Sequence, residues 1–257
     1  MEIIDAQVGL RYPGERFPDD ERRFETTFQS KLDVLRAAGI SRAVAGRNEW
    51  VGGISCVELL FRNRMIAEAC QASEGMLIPS ASINPCFGEL ACDLMRQCRK
   101  ELGMRLVGEM FDTSLGFQWG TPEYYQVLAC AVELRMIPLI HCENEVIAEL
   151  GERYPEGQFL VMHLYSGKVR DHRPRLVALA PYPNLSLVIS GTPIGIAGAI
   201  RDAVRMLGAD RVVFGTDHPS IDPVIAVMMV RRSGISEEDQ AKVFAGNFNR
   251  LWEWTDV

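Results

Sequence analysis

Ile137-Pro138-Leu139-Ile140-His141 and Phe159-Leu160-Val161-Met162-His163 are two short, almost wholly apolar runs, each closed by a histidine. Runs of this kind, bounded by polar residues, read as strands covered on both faces, as in a parallel sheet flanked by helices. Eight such runs can be marked along the chain, at residues 2–8, 40–45, 76–83, 104–111, 137–141, 158–163, 185–190 and 211–216. Segments of helical period lie between them, which is the rhythm of repeated βα units. A doubly wound open sheet gives the same alternation. The polar residues separate the two, because in an eight-fold barrel every strand presents its C-terminal end to one mouth. Here Glu109, His141, His163 and Asp217 end four different runs, and three of the four histidines in the chain lie at or just past a run's end. That distribution predicts an α/β fold, a (β/α)8 TIM barrel.

The helix boundaries agree. Residues 19–38 carry Phe24, Phe28, Leu32 and Leu35 at helical spacing and stop at Gly39. Thr121-Pro122-Glu123 supplies an N-cap, a proline at the first helical position and an acidic first turn, and Ser236-Glu237-Glu238 caps a helix running into residues 241–244. The widest interval, 46–75, begins with the polar Gly46-Arg47-Asn48-Glu49 and continues as a helix, so it is the expected elaborated loop over the mouth. No repeat, linker or low-complexity tract interrupts the alternation, and one domain over residues 1–257 is expected.

The chain is 47% hydrophobic and 24% charged, ordinary for a globular protein, with a formal charge of −7. Nucleic-acid binding needs clustered Lys and Arg to displace counterions, so the acidic balance argues against it. Seven cysteines form no CxxC pair and sit mostly in apolar segments, the usage of free thiols in a reducing cytoplasm. The N-terminal residues lack a basic stretch followed by an apolar one, and no run reaches the ~18 apolar residues of a membrane span. A cytoplasmic protein without membrane or nucleic-acid partners is expected. A homo-oligomer is open, since many barrels associate.

Two imidazoles and several carboxylates at one mouth form a divalent-metal set. Zinc takes imidazole nitrogen and carboxylate oxygen, and a catalytic site leaves a position for water, which then ionises near neutral pH. Taken singly, a histidine ending an apolar strand is as readily a satisfied core group, and Asp217 serves equally to cap the turn before Pro219. Together they favour a site, because an ionisable group in a barrel mouth is costly unless paired or metal-bound. His218, next in sequence, points to the opposite face if the strand continues and reaches substrate only after a turn. Arg11 and Tyr12, beyond the first strand, and Tyr165 and Lys168, after the sixth, are candidate substrate contacts, with solvated loops as the plain alternative. Phe111, Phe117 and Trp119 either line a pocket or pack their own loop down.

Three features read as decoys. Ser190-Gly191-Thr192-Pro193-Ile194-Gly195-Ile196-Ala197-Gly198 is glycine-rich before a helix but lacks a Walker lysine or dinucleotide spacing, so no phosphate or nucleotide cofactor is assigned. Cys142 faces away from its neighbour His141 and reads as packing. Met228, Met229, Trp252 and Trp254 read as packing of the last helix.

Phe214-Gly215-Thr216-Asp217-His218-Pro219, the C-terminal Gly246-Asn247-Phe248-Asn249-Arg250-Leu251 and the His-ended fifth and sixth strands resemble the amidohydrolase-related branch of the amidohydrolase superfamily, over nearly the whole chain. Val107-Gly108-Glu109 and Met162-His163-Leu164-Tyr165-Ser166-Gly167 are similar to TatD-like hydrolases, a neighbouring branch. The superfamily opens with Asp-x-His-x-His, whereas this chain reads Asp5-Ala6-Gln7-Val8-Gly9. Both first-strand histidine ligands are absent. The resemblance therefore implies one divalent metal, zinc first with iron or manganese as alternatives, held by Glu109, His141, His163 and Asp217. N-acetylglucosamine-6-phosphate deacetylases are similar in replacing the first-strand histidines and using a strand glutamate. The resemblance gives Asp217 the catalytic proton transfer and leaves His218 as a second catalytic candidate. It implies a metal-dependent hydrolase acting on a C–N or C–O bond (amide, lactone or ester) of a small molecule. Metal-dependent decarboxylation, known in the same branch, and a metal-free barrel with a binding role are the alternatives.

Overall fold

The computed structural model describes residues 1–9, 28–46, 54–165 and 171–256. Eight parallel strands run in chain order around a barrel: β1 Ile4–Gly9, β2 Arg42–Gly46, β3 Leu77–Ala81, β4 Leu106–Phe111, β5 Ile137–His141, β6 Phe159–Met162, β7 Leu185–Ile189 and β8 Val212–Phe214. All eight expected runs form strands, β5 with the expected bounds and the others trimmed or shifted by one to two residues at their ends. The α-helices are α1 Phe28–Ala37, α2 Cys56–Ala72, α3 Glu89–Glu101, α4 Asp112–Leu115, α5 Pro122–Glu133, α6 Asn144–Arg153, α7 Arg173–Leu179, α8 Ala199–Leu207, α9 Pro223–Arg231, α10 Glu237–Ala241 and α11 Asn247–Trp254. The expected caps are present. The Thr121 hydroxyl accepts from Tyr124 N at 3.3 Å, and that of Ser236 accepts from Asp239 N at 3.0 Å.

Two apolar layers follow from strand alternation. The barrel interior is filled by Ile4 and Ala6, Val44, Ile78, Leu106, Ile137 and Leu139, Leu160 and Met162, Val188 and Val213. The alternate residues, such as Val107, Ile140, Val161 and Leu187, pack outward against the helices, and Val8 joins them past the β1 register shift between Asp5 and Val8. Phe248 and Leu251 of α11 plug the bottom of the interior, and Asn247 Nδ2 donates at 2.7 Å to the carbonyls of both Ala209 and Val212. The C-terminal Asn247–Leu251 motif thus closes the bottom, away from the mouth.

The barrel closes between β1 and β8. Val8 bridges His218 in parallel, Gly9 N donates to His218 O at 2.9 Å, and Asp217 N donates to Gln7 O at 2.9 Å. Asp5, wholly buried, accepts from Thr216 N and Thr216 Oγ1 at 2.9 and 2.5 Å. Met228 and Met229 correct an expectation: they lie on α9 and are 42% and 39% exposed, while Trp252 and Trp254 of α11 do pack against the plug. None of the described helices is long and apolar enough to cross a membrane.

Candidate metal centre

Simple alternation delivers only one functional side chain to the mouth. Ile137 and Leu139 face inward, so His141 does too. Glu109 follows the inward Leu106 by three residues and would face outward in a regular strand. The β4–β5 register shifts between Val107 and Met110, and this bulge turns Glu109 inward. Gly108 permits it: its φ is +110°, and a Cβ there would meet Met110 N at 2.6 Å and Leu139 O at 2.7 Å. His163 likewise follows the inward Met162, and a left-handed conformation, φ +64°, redirects it. Asp217 has φ +58°. Non-glycine residues in this region cost of order 1 kcal/mol each, strain characteristically held at functional sites.

The result is a compact donor group. His141 Nδ1 lies 2.6 Å from Glu109 Oε1, and His163 Nε2 lies 3.5 Å from the same oxygen. The other carboxylate oxygen, Oε2, accepts from Gln7 Nε2 at 2.7 Å. Gln7 Oε1 accepts from the Ser190 hydroxyl at 2.6 Å, and Ser190 presents its carbonyl and Oγ to His163 Nδ1 at 3.1 and 3.0 Å. These contacts form a ring from Glu109 through Gln7, Ser190 and His163 back to Glu109. Phe111 stacks on His141 at 4.0 Å, fixing the plane of the imidazole.

Burial by itself would raise the Glu109 carboxyl, but hydrogen bonds and charge from His141 and His163 outweigh it and hold the group well below the usual carboxylate range. Burial would lower His163, yet Glu109 and then Asp217 push it above the ordinary imidazole value. Asp5 behaves oppositely: burial dominates the hydrogen bonds it accepts and pushes it up to about 7.

Among the described residues, Glu109, His141 and His163 form the group able to hold a metal ion, with one donor atom each, all within 4.8 Å of one another. Tetrahedral coordination at zinc distances needs donors about 3.3 Å apart. The observed 2.6 and 3.5 Å bracket that spacing, and an ion would replace the proton that His141 shares with Glu109. His163 meets the outer-shell requirement as well, because Nδ1 is committed to Ser190 and Nε2 is the nitrogen left to ligate. The donor set fits a divalent ion.

A cavity of about 300 Å³ opens over this group, with His141, His163, Tyr165, Thr192, Asp217 and Ser220 in its wall. Asp217 lines the cavity beside the three-residue donor group. Gly191 backs onto it: a Cβ there would lie 3.3 Å from Asp217 Oδ2 and 3.1 Å from His163 Nδ1. His218, the expected second catalytic residue, is absent from the cavity wall. Its bridge to Val8 continues strand pairing for one more residue, so its ring points away from the mouth. There burial, followed by the Lys31 charge, lowers its pKa. Tyr165 lies where a substrate contact was expected, whereas Arg11, Tyr12 and Lys168 fall outside the described residues. Cys142 is buried and its thiol is pushed up to about 12, consistent with packing. Phe117 packs edge-on to Trp119, and both pack on Tyr124, holding their own loop down.

Sequence reasoning missed Gln7 and Ser190 as participants. Gln7 stands in the sequence only where a histidine ligand is absent, and Ser190 only as the start of a glycine-rich decoy. Their polar identity at the ends of β1 and β7 was the available signal.

A family model described as amidohydrolase matches residues 6–254. No curated protein sequence matches the chain. Among solved structures, 2,6-dihydroxybenzoate decarboxylase from Rhizobium is similar with a TM-score of 0.75 at 18% identity, covering 98% of this chain and 98% of that chain. A dihydroxybenzoic acid decarboxylase from Polaromonas, with bound manganese and the inhibitor 2-nitroresorcinol, gives 0.75 at 16% identity over 100% of this chain and 98% of that chain. A TIM-barrel protein from Bordetella bronchiseptica gives 0.75 at 19% identity over 100% of both chains. At such identities the likeness concerns the fold. With a family match running from the first strand to the last helix, the chain belongs to the amidohydrolase family.

Proposed function

We propose that this chain, as one barrel domain over residues 1–257, is a mononuclear metal-dependent hydrolase of a C–N or C–O bond in a small amide, lactone or ester. The observation that carries the proposal is the Glu109–His141–His163 donor group under a cavity whose wall also holds the Asp217 carboxylate. The ion proposed is zinc, with iron or manganese as alternatives, and when bound it supplies Lewis-acid chemistry, making water acidic near neutral pH and polarising a substrate oxygen. Asp217 accepts the proton of the attacking water as the new C–O bond forms. It then delivers that proton to the leaving nitrogen or oxygen as the C–N or C–O bond breaks. Gln7 holds the second Glu109 oxygen, so the carboxylate keeps one fixed face toward the imidazoles. Tyr165 in the cavity wall, Arg11 and Lys168 are the proposed substrate contacts; a molecule filling a cavity of about 300 Å³ is a small one.

Decarboxylation is the second reading, favoured by the named activities of the Rhizobium and Polaromonas structures. There a C–C bond breaks, carbon dioxide leaves and a proton from the site takes its place on carbon. One experiment separates the readings: the metal-loaded protein is assayed against panels of small amides, lactones and esters and of hydroxylated aromatic carboxylates. Ion-dependent hydrolysis lost in Asp217→Asn is the expected result. Carbon dioxide release without any hydrolysis overturns it in favour of decarboxylation, and a protein that binds no ion and turns over nothing is a binding barrel.

A further inference from the structure

Arg175 of α7 is the largest fully buried side chain described, with no exposure. Its guanidinium reaches from the helix layer to the upper ends of β5 and β6. Nη1 donates to Met162 O at 2.7 Å and His163 O at 3.4 Å, Nη2 donates to Cys142 O, and Nε donates to Asn144 Oδ1 at 3.2 Å. Three of the four acceptors are peptide carbonyls within one residue of His141 or His163.

Between β5 and β6 the ladder pairs Leu139 with Leu160 and Ile140 with Val161 and goes no further. His141 is still paired with Phe111 of β4 and Met162 with Val188 of β7, but the Cys142 and His163 peptides lie beyond the described pairings. His163 is moreover left-handed, a conformation that persists only where its surroundings enforce it. A planar fork of five donors can hold several carbonyls in fixed relation, which the compact ammonium of lysine cannot. Burying a guanidinium carries a desolvation penalty that an apolar side chain of similar volume would not. The direct partners of the guanidinium are those carbonyls and the Asn144 amide oxygen, with Glu143 and Glu145 adding negative charge from nearby.

We infer that Arg175 is a positioning residue for the ion: by holding the Cys142, Met162 and His163 carbonyls, it aims the His141 and His163 rings at Glu109. The inference rests on the metal reading proposed above. The test compares wild type, Arg175→Lys, Arg175→Met and Leu207→Ala, a core truncation at the lower end of α8 that serves as a control for lost stability. Zinc affinity is read by competition with a chromophoric chelator, the visible spectrum of the cobalt-substituted protein reports ligand geometry, and thermal melting reports folding. Both Arg175 variants are expected to bind zinc roughly 10- to 100-fold more weakly, the range for lost outer-shell partners, with an altered cobalt spectrum. Leu207→Ala should melt lower with affinity and spectrum unchanged. Wild-type affinity and spectrum in a folded Arg175→Lys or Arg175→Met overturn the inference and leave the metal reading standing. An equal loss of affinity in Leu207→Ala overturns it too, by making the effect one of stability. A wild type that binds neither ion defeats the metal reading and this inference with it.

Discussion

The two halves of the barrel mouth use polar residues differently. The arc from β4 to β6 gathers donors, Glu109, His141 and His163, around one point. The arc from β7 through β8 to β1 gathers hydrogen-bonding groups, Ser190, Thr216, Asp5 and Gln7, which tie strand to strand. Gln7 joins the halves, accepting from Ser190 and donating to Glu109. The resemblance gave β1 histidine ligands, and here the strand contributes an amide that restrains another strand's ligand. Loss of a ligand position has therefore left the remaining carboxylate anchored, with one oxygen committed and one facing the imidazoles.

Exchanging Asp217 for asparagine probes the division most forcefully. Because its carboxylate lies in the β8 wall outside the donor group, Asp217→Asn should keep the ion yet lower turnover by about 10²- to 10⁴-fold, the usual worth of a positioned acid–base group. Loss of the ion together with turnover would move Asp217 into the donor half. Next in size is Gln7→Leu, which removes the bridge while keeping the volume. Ion affinity should fall by roughly 10- to 100-fold, read by chelator competition. An unchanged affinity would mean that Glu109 needs no tether from β1.

A separate effect, on stability alone, concerns Asp5. Its folded-state pKa is raised to about 7 from an ordinary value near 3.8, so the folded protein keeps a proton that the unfolded chain releases. Stability therefore declines as pH rises from about 4 to about 7 and carries no further Asp5 dependence above that. Asp5→Asn should remove this component, visible as a difference between the two melting-temperature profiles across that window. Parallel profiles would show that Asp5 ionises freely in the folded state.

The barrel was legible because its signal is local and repeated. Eight apolar runs at regular spacing need no long-range information, and the caps at Thr121 and Ser236 are chemistry on adjacent residues. Of the site, His141 could be placed by alternation alone. Glu109 and His163 were named from residue type and position, but the devices that aim them, a bulge at Gly108–Glu109 and a left-handed residue at 163, lie below what periodicity resolves. Asp217 and His218 show the limit most sharply. They are neighbours in sequence, yet one lines the cavity while the other pairs with Val8 and turns its ring away. Gln7, Ser190 and Arg175 were missed because their roles exist only across contacts between distant parts of the chain. Nothing within a few residues of Arg175 marks it as the holder of three carbonyls.

The most direct test of the metal-centre account is the ion content of the purified protein after exposure to zinc or manganese and extensive dialysis, measured beside Glu109→Gln. The account expects about one equivalent in the wild type and essentially none in the variant, with both proteins folded. A wild type without ion, or a Glu109→Gln protein that keeps a full equivalent, would contradict it.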